Sequence, residues 1–312
     1  MGKSTIQSVG FALMDEAKSI LLSGDIPKGI DRVILGMRTI KQNFNSDLWE
    51  EFSRKTVLKH SLIDIIHQCP FTYHSFSKPR GYAGDAELLD FIYGKNQLSN
   101  RLTPMGRKIF EYFVTTPAPE SVRARRDLLA EIIDRLASSV ANHPLQILSV
   151  ACGHLREAHL SEAVQAKQIN RFFALDKDPL SLELIDRELG NYPIQTIQSS
   201  VTALLRKKLT FENLDLVYAA GLYDYLSQSF ATRLTRVMFD MLRSGGKLIV
   251  ANFVPNHREV GYMETFMQWY LIYRSETDLD AVASEISASE IASQRTFLEK
   301  NGNIRFLELV RI

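Results

Sequence analysis

The stretch ILSVACGHLREAHLSEA, residues 147–163, decides the fold. Its apolar start, extended backwards to LQILSVA (145–151), predicts a fully buried strand. HLREAHLSEAVQA (154–166) has apolar residues at helical spacing and predicts a helix. Gly153 between them is either a plain bend or a point of close backbone approach to a ligand. In the second case the helix N-terminus would offer free N–H groups. The dinucleotide fingerprint GxGxxG is absent, since ACGHLREA holds one glycine only.

Downstream, the same alternation repeats. RFFALD (171–176), PIQTIQSS (193–200), LDLVYAA (214–220) and GGKLIVANF (245–253) read as strands. DPLSLELIDREL (178–189), a short stretch near 202–207 and QSFATRLTRVMFDML (228–242) read as helices. Alternating strands and helices predict an α/β, Rossmann-like, mostly parallel sheet covered on both faces. Residues from about 261 to 293 read as helical. TFLEKNGNIRFLELVRI (296–312) reads as an antiparallel hairpin around Asn301-Gly302.

The first part of the chain has a different pattern. Ile6, Val9, Leu13, Ala17 and Ile20 recur at helical spacing before Gly24, and Ile30, Val33, Ile34, Met37 and Ile40 mark a second helix over 28–43. A third is predicted from about 47 to 67. CPFTYHSFSKPRGYAGDAELLDFIYG (69–94) interrupts, and helices resume near 85, 101 and 120. Two domains are expected, an N-terminal helical lid or substrate domain over 1–142 and an α/β domain over 143–312.

With 45% apolar residues and a net charge of +1, composition is that of an ordinary globular chain with no global pull toward nucleic acid. Cys69 and Cys152 lack metal or disulfide spacing, so a reducing, cytoplasmic setting is expected. There is no leader pattern and no apolar run long enough to span a bilayer.

Asp176 ends the second strand. An acidic side chain there can accept both ribose hydroxyls of a nucleoside, while Asp178 before Pro179 supplies the helix cap. At this point the sequence resembles class I S-adenosylmethionine (SAM) methyltransferases. The resemblance rests on the strand series, the lone glycine turn, the acidic end of strand two and the terminal hairpin. It covers about 143–312 and implies a seven-stranded sheet whose last strand inserts antiparallel between the fifth and sixth. It further implies that Cys152, Gly153, Ala220 and Gly221 face the methionine part of SAM, Asp176 the ribose, and Ser200 and Val201 the adenine. KPRGYAGDAELLDFIYG (78–94), GLYDYL (221–226) and GYMETFMQWYLIYR (261–274) resemble a narrower bacterial subgroup with an N-terminal helical region. That subgroup includes synthases of 3-hydroxy fatty acid methyl ester signals and natural-product methyltransferases.

Tyr223, Asp224 and Tyr225 follow strand four. Asp224 is the candidate proton acceptor or orienting group, and the tyrosines are candidate walls whose π faces suit a sulfonium; core packing and helix capping are the alternatives. Lys78, Arg80, Tyr82 and Asp85 lie in a Gly-containing loop suited to a lid, with Arg80 or Lys78 a carboxylate partner and Tyr82 a cofactor contact; a plain linker, with Asp85 as the cap of the following helix, is the alternative. Asn252, Tyr262, Trp269, Tyr273 and Arg274 are candidate acceptor contacts, against a core reading for the aromatics. Among Arg123, Arg125 and Arg126, one can meet an anion, or all three form a solvated basic face. His154 is a candidate base; His67, His74, His143 and His159 read as ordinary. No metal is expected. The expected activity is methyl transfer from SAM to a small molecule, at a carboxylate or hydroxyl oxygen of a fatty-acid-like or natural-product acceptor. N- or C-methylation of an aromatic natural product and a non-catalytic SAM-binding regulator are the alternatives. No nucleic acid or membrane span is expected as partner, and a homodimer is left open.

Overall fold

The computed structural model describes residues 2–96, 98–99, 102–139 and 145–312. The expected boundary at 142/143, position 101 and His143 lie outside these. Contacts divide the chain into two compact units, one of Met1–Val122 with Asn256–Tyr270, the other of Arg123–Pro255 with Leu271–Ile312.

The second unit is a seven-stranded sheet. Its strands are β1 (Leu145–Val150), β2 (Ile169–Asp176), β3 (Ile194–Gln198), β4 (Leu214–Ala219), β5 (Leu242–Phe253), β6 (Ile291–Leu298) and β7 (Ile304–Arg311), in the order β3-β2-β1-β4-β5-β7-β6. The first five run parallel, and β7 is antiparallel to both neighbours. This is the α/β topology, with inserted antiparallel seventh strand, that the resemblance implies. Every residue of β4 is buried, as a central parallel strand covered on both faces requires. β6 is the edge strand and carries Ser293, Gln294 and Arg295 on exposed positions. Gly302 turns the final hairpin with φ 78°.

The first unit is helical. Lys3–Leu22 and Ile26–Asn43 pack together, the second capped by Asp25, whose side chain accepts from Lys28 N–H. All five apolar positions anticipated on the second helix are buried, whereas Val9 on the first is exposed. The helix predicted over 47–67 is broken into an α turn (Ser46–Glu51), a π segment (Phe52–Thr56), a 3₁₀ turn (Val57–Lys59) and a further α turn (Leu62–Ile66). Ser53 in the π segment is the anchor: its carbonyl accepts from Gln268 Nε2 and its hydroxyl from Tyr270. Further helices run over Pro70–Ser77, Ala86–Ile92 and Pro104–Phe113, and Pro117–Ser139 carries the chain from the first unit into the second. In the stretch read as helical from 261, Val260–Phe266 is a helix, and a non-helical run precedes the next helix, Glu276–Asp280. Among the described residues no helix is long and apolar enough to cross a membrane.

Candidate functional site

The C-terminal ends of β1, β2, β4 and β5 gather most of the candidate residues. The predicted helix after β1 does not form. Ala151, Gly153 and Leu155 have φ of 56°, 54° and 49°, and three left-handed residues in five cannot continue a right-handed helix. The helix is deferred to Glu162–Gln165, where Asp134 fixes its start by accepting from the Ser161 hydroxyl and the N–H groups of Glu162 and Ala163. A helix N-terminus is therefore not what Gly153 offers. Its own N–H donates to Asp176 Oδ2 at 2.8 Å, and Asp178 N–H donates to Asp176 Oδ1 at 2.9 Å. Asp178 also caps the helix Pro179–Leu189 as anticipated, accepting from Leu180 N–H. The buried Asp176 carboxylate is thus aimed by its own backbone frame, and each oxygen keeps a second lone pair for another donor.

Cys152 lies beside this turn, its thiol pushed up by burial and then by the charges of Asp176 and Glu157. It is a poor nucleophile there. Ser200 is exposed and precedes the short helix Val201–Leu205 without capping it by its side chain; Val201 is half-buried. Ala220 and Gly221 follow β4 and are half-buried.

Sequence reasoning left Arg125 undecided and missed Glu157. Arg125 is buried, not on a solvated face, and donates through Nη1 to Ala220 O at 2.8 Å. Its position was readable: Val122, Leu129, Ile132 and Ile133 are buried on the same helix, and Arg125 falls on their stripe. Glu157 is buried and accepts from the Tyr218 hydroxyl on β4. Burial raises the Glu157 carboxyl, opposed by the Tyr218 hydrogen bond and the charges of Arg125 and Arg126. Tyr218 is pushed well above the usual phenol range, by burial first and by Glu157 second.

The three residues after β4 separate. Tyr223 enters the core: its hydroxyl bonds to Thr235 Oγ1 at 2.8 Å and it packs near Met238, so it does not wall an open site. Burial raises its phenol. Tyr225 is exposed. Asp224 is buried at 3% exposure and accepts from Phe253 N–H at 2.8 Å through Oδ1. Burial raises its carboxyl to about 6 against that hydrogen bond and the charges of Arg125 and Arg274.

Asn252 and Arg274 form a structural clamp. Asn252 Nδ2 donates to Phe253 O and Ile272 O, and its Oδ1 accepts from Arg274 Nη1 at 2.6 Å. Arg274 also donates to Tyr223 O, Leu226 O and Gln228 Oε1. These side chains hold the loop after β4 against the end of β5 and have little capacity left for an acceptor. Tyr273 beside them is half-buried.

In the helical unit, Tyr262 bonds to Thr72 Oγ1 at 2.9 Å and packs its ring, tilted, against Phe113 and Phe266, which makes it a core residue there. Trp269 is buried. Arg80 pairs with Glu87, Tyr82 is half-buried, and Lys78 is exposed with φ 52°. Asp85 caps Ala86–Ile92 and also bonds to His74 Nε2, closing the base of the 78–84 loop. His154 is buried beside the β1 turn, and His67 bonds to Phe266 O.

No protein-family model matches the sequence, and no curated protein matches it. Solved structures are similar in fold. A possible exported protein of Bordetella parapertussis aligns over 100% of this chain and 97% of its own, at 15% identity and a TM-score of 0.60. A DUF574 family protein of Streptomyces avermitilis aligns over 73% of this chain and 97% of its own, at 14% identity and a TM-score of 0.53. The magnesium protoporphyrin IX methyltransferase of Synechocystis PCC 6803, solved with S-adenosylhomocysteine (SAH), covers 72% of this chain and 92% of its own, at 13% identity and a TM-score of 0.49. At these identities the likeness is one of fold.

Proposed function

We propose that this chain is a cytoplasmic SAM-dependent methyltransferase acting on oxygen of a small-molecule acceptor. The observation that carries the reading is the Gly153–Asp176 hydrogen bond at the head of a β3-β2-β1-β4-β5-β7-β6 sheet. It presents a carboxylate with spare lone pairs at the crevice where the strand order reverses, the place where open α/β sheets bind ligands. Two left-handed non-glycine residues, Ala151 and Leu155, flank the turn, and such backbone costs about 1–3 kcal/mol each, which favours a functional reason for keeping it.

The residues suit SAM. Asp176 can accept from the ribose hydroxyls. The buried Arg125 guanidinium suits the methionine carboxylate, with donors beyond the one used on Ala220 O. When bound, SAM supplies a sulfonium methyl for in-line transfer. Asp224, with Oδ1 held by Phe253 N–H and a carboxyl near the working pH, is suited to take or orient an acceptor proton. Fatty-acid-like and natural-product acceptors both fit this proposal.

Calorimetric titration of SAM, SAH and NADH into the full chain tests the reading. SAM and SAH are expected to bind and NADH not, with SAM weakened at least about tenfold in Asp176→Ala, a loss near 1.4 kcal/mol. Binding of NADH in place of SAM would sink it. Turnover is then sought with 3-hydroxy fatty acids and phenols.

A further inference from the structure

Ile272 is pinned through both of its backbone groups. Its N–H donates to Asp224 O at 2.7 Å, and its carbonyl accepts from Asn252 Nδ2 at 2.8 Å. The turn opposite is held as firmly. Tyr225 N–H donates to Leu222 O at 3.0 Å, and Arg274 donates to Tyr223 O and Leu226 O on either side of Tyr225. Yet both fixed residues stay open to solvent, Tyr225 at 39% exposure and Ile272 at 42%. Apolar residues scattered singly over a surface are ordinary. These two are not scattered: they flank Asp224, one next to it in the chain and the other bonded to its carbonyl. A buried guanidinium and a buried amide thus fix two large apolar side chains in the open, where they add little to the core. Apolar surface held on a rigid frame beside a group that can take a proton suits a small molecule with one polar end.

We propose that Tyr225 and Ile272 form the docking surface for the apolar body of a small neutral ligand whose hydroxyl lies at Asp224. The body covers the two side chains and removes their exposed area from water. The ring of Tyr225 offers a flat face, which an aromatic body meets in offset or edge contact. Asp224 decides the polar end, because a carboxylate accepts from a hydroxyl and repels a second carboxylate. Naming the ligand the methyl acceptor rests on the methyltransferase proposal. On that reading the acceptor class narrows from acids and alcohols to apolar phenols and alcohols.

The test uses the full chain and the fluorescence of 2-naphthol, with 2-naphthoate as the charged probe on the same ring. 2-Naphthol is expected to bind saturably and at least about tenfold tighter than 2-naphthoate. Ile272→Ser and Tyr225→Ser are each expected to weaken 2-naphthol about threefold to tenfold, and Ile272→Leu to keep it. These substitutions leave the backbone bonds in place, so Tm should hold within about 2 °C. Leu298→Ser, at an equally exposed apolar residue on β6, is expected to leave binding unchanged. Absence of saturable 2-naphthol binding, an equal loss in Leu298→Ser, or undiminished binding in both Ile272→Ser and Tyr225→Ser would overturn the proposal. So would 2-naphthoate binding as tightly as 2-naphthol. SAM titration of the same proteins reads the methyltransferase proposal separately. SAM binding without 2-naphthol binding fails the docking surface alone, and 2-naphthol selectivity without SAM binding fails the methyltransferase proposal alone.

Discussion

Arg274 donates to Asn252 Oδ1 at 2.6 Å, and both side chains are buried. The pair joins the loop after β4 to the end of β5, because the same guanidinium reaches Tyr223 O and Leu226 O and the same amide reaches Ile272 O. Removing Arg274 strands four oxygen acceptors around it, Gln228 Oε1 among them. Arg274→Ala is expected to cost about 3 kcal/mol or more, and Arg274→Lys most of that, since an ammonium cannot span the fork. Asn252→Ala should cost about 1–3 kcal/mol, and the double variant less than the sum. Urea unfolding of the wild type and the four variants checks this; strict additivity would show that the clamp is not one unit.

Asp224 sets a pH dependence. Its carboxyl is raised by burial from the ordinary 3.8 to about 6. The folded chain therefore holds this proton to higher pH than the unfolded chain does. The contribution to stability is fully present below about pH 4 and is lost as pH rises toward 6, a change of about 3 kcal/mol for a shift of about two units. Asp224→Asn keeps an acceptor for Phe253 N–H without titrating. It should match the wild type near pH 4 and be the more stable protein above pH 6, while methyl transfer to a hydroxyl acceptor falls about 10²-fold or more. Unfolding curves at four pH values would reveal the divergence above pH 4, and parallel curves would refute it.

Arg125 should discriminate SAM from its decarboxylated analogue. In wild type the carboxylate-bearing cofactor is expected to bind about 10–100-fold tighter, and in Arg125→Gln the two should bind alike. An undiminished preference in the variant would assign the carboxylate to another residue.

Tyr223→Phe is expected to lose about 1 kcal/mol of stability, the worth of its hydrogen bond to Thr235, and to keep kcat and KM unchanged. A drop in kcat without a change in stability would return Tyr223 to the chemistry.

The sheet was legible in the sequence because central parallel strands are short, mostly apolar runs, and β1 and β4 are of that kind, with only Gln146 and Ser149 in the first and Asp215 in the second as polar interruptions. Asp176 was legible by its place at the end of such a run. The turn after β1 was not, because Ala151 and Leu155 carry no sequence mark of left-handed backbone, and the carboxylate that holds Gly153 N–H between them, that of Asp176, comes from another strand. The roles of Asn252 and Arg274 were hidden for the same kind of reason. A buried amide or guanidinium at the end of a strand can serve a ligand or a carbonyl, and only the arrival of Ile272 O and Tyr223 O decides for the carbonyl. Tyr223 and Tyr225 are two residues apart, yet one is buried and the other exposed, because the 3₁₀ turn Tyr223–Tyr225 rotates them onto different faces.

The polypeptide leaves the sheet unit after Pro255 and returns at Leu271, lending the helical unit the piece that seats on Ile26–Asn43. The two units are therefore not separable as beads on a string. A fragment ending at Val122 would lack Tyr262, the partner of Thr72 and Phe113, and would expose the apolar face those residues cover. Exchange of the helical unit between relatives by a single recombination near position 122 would mismatch a helix encoded more than a hundred codons downstream. The two stretches must change together, so whatever selectivity the helical unit confers is inherited as a pair of distant segments and not as one cassette.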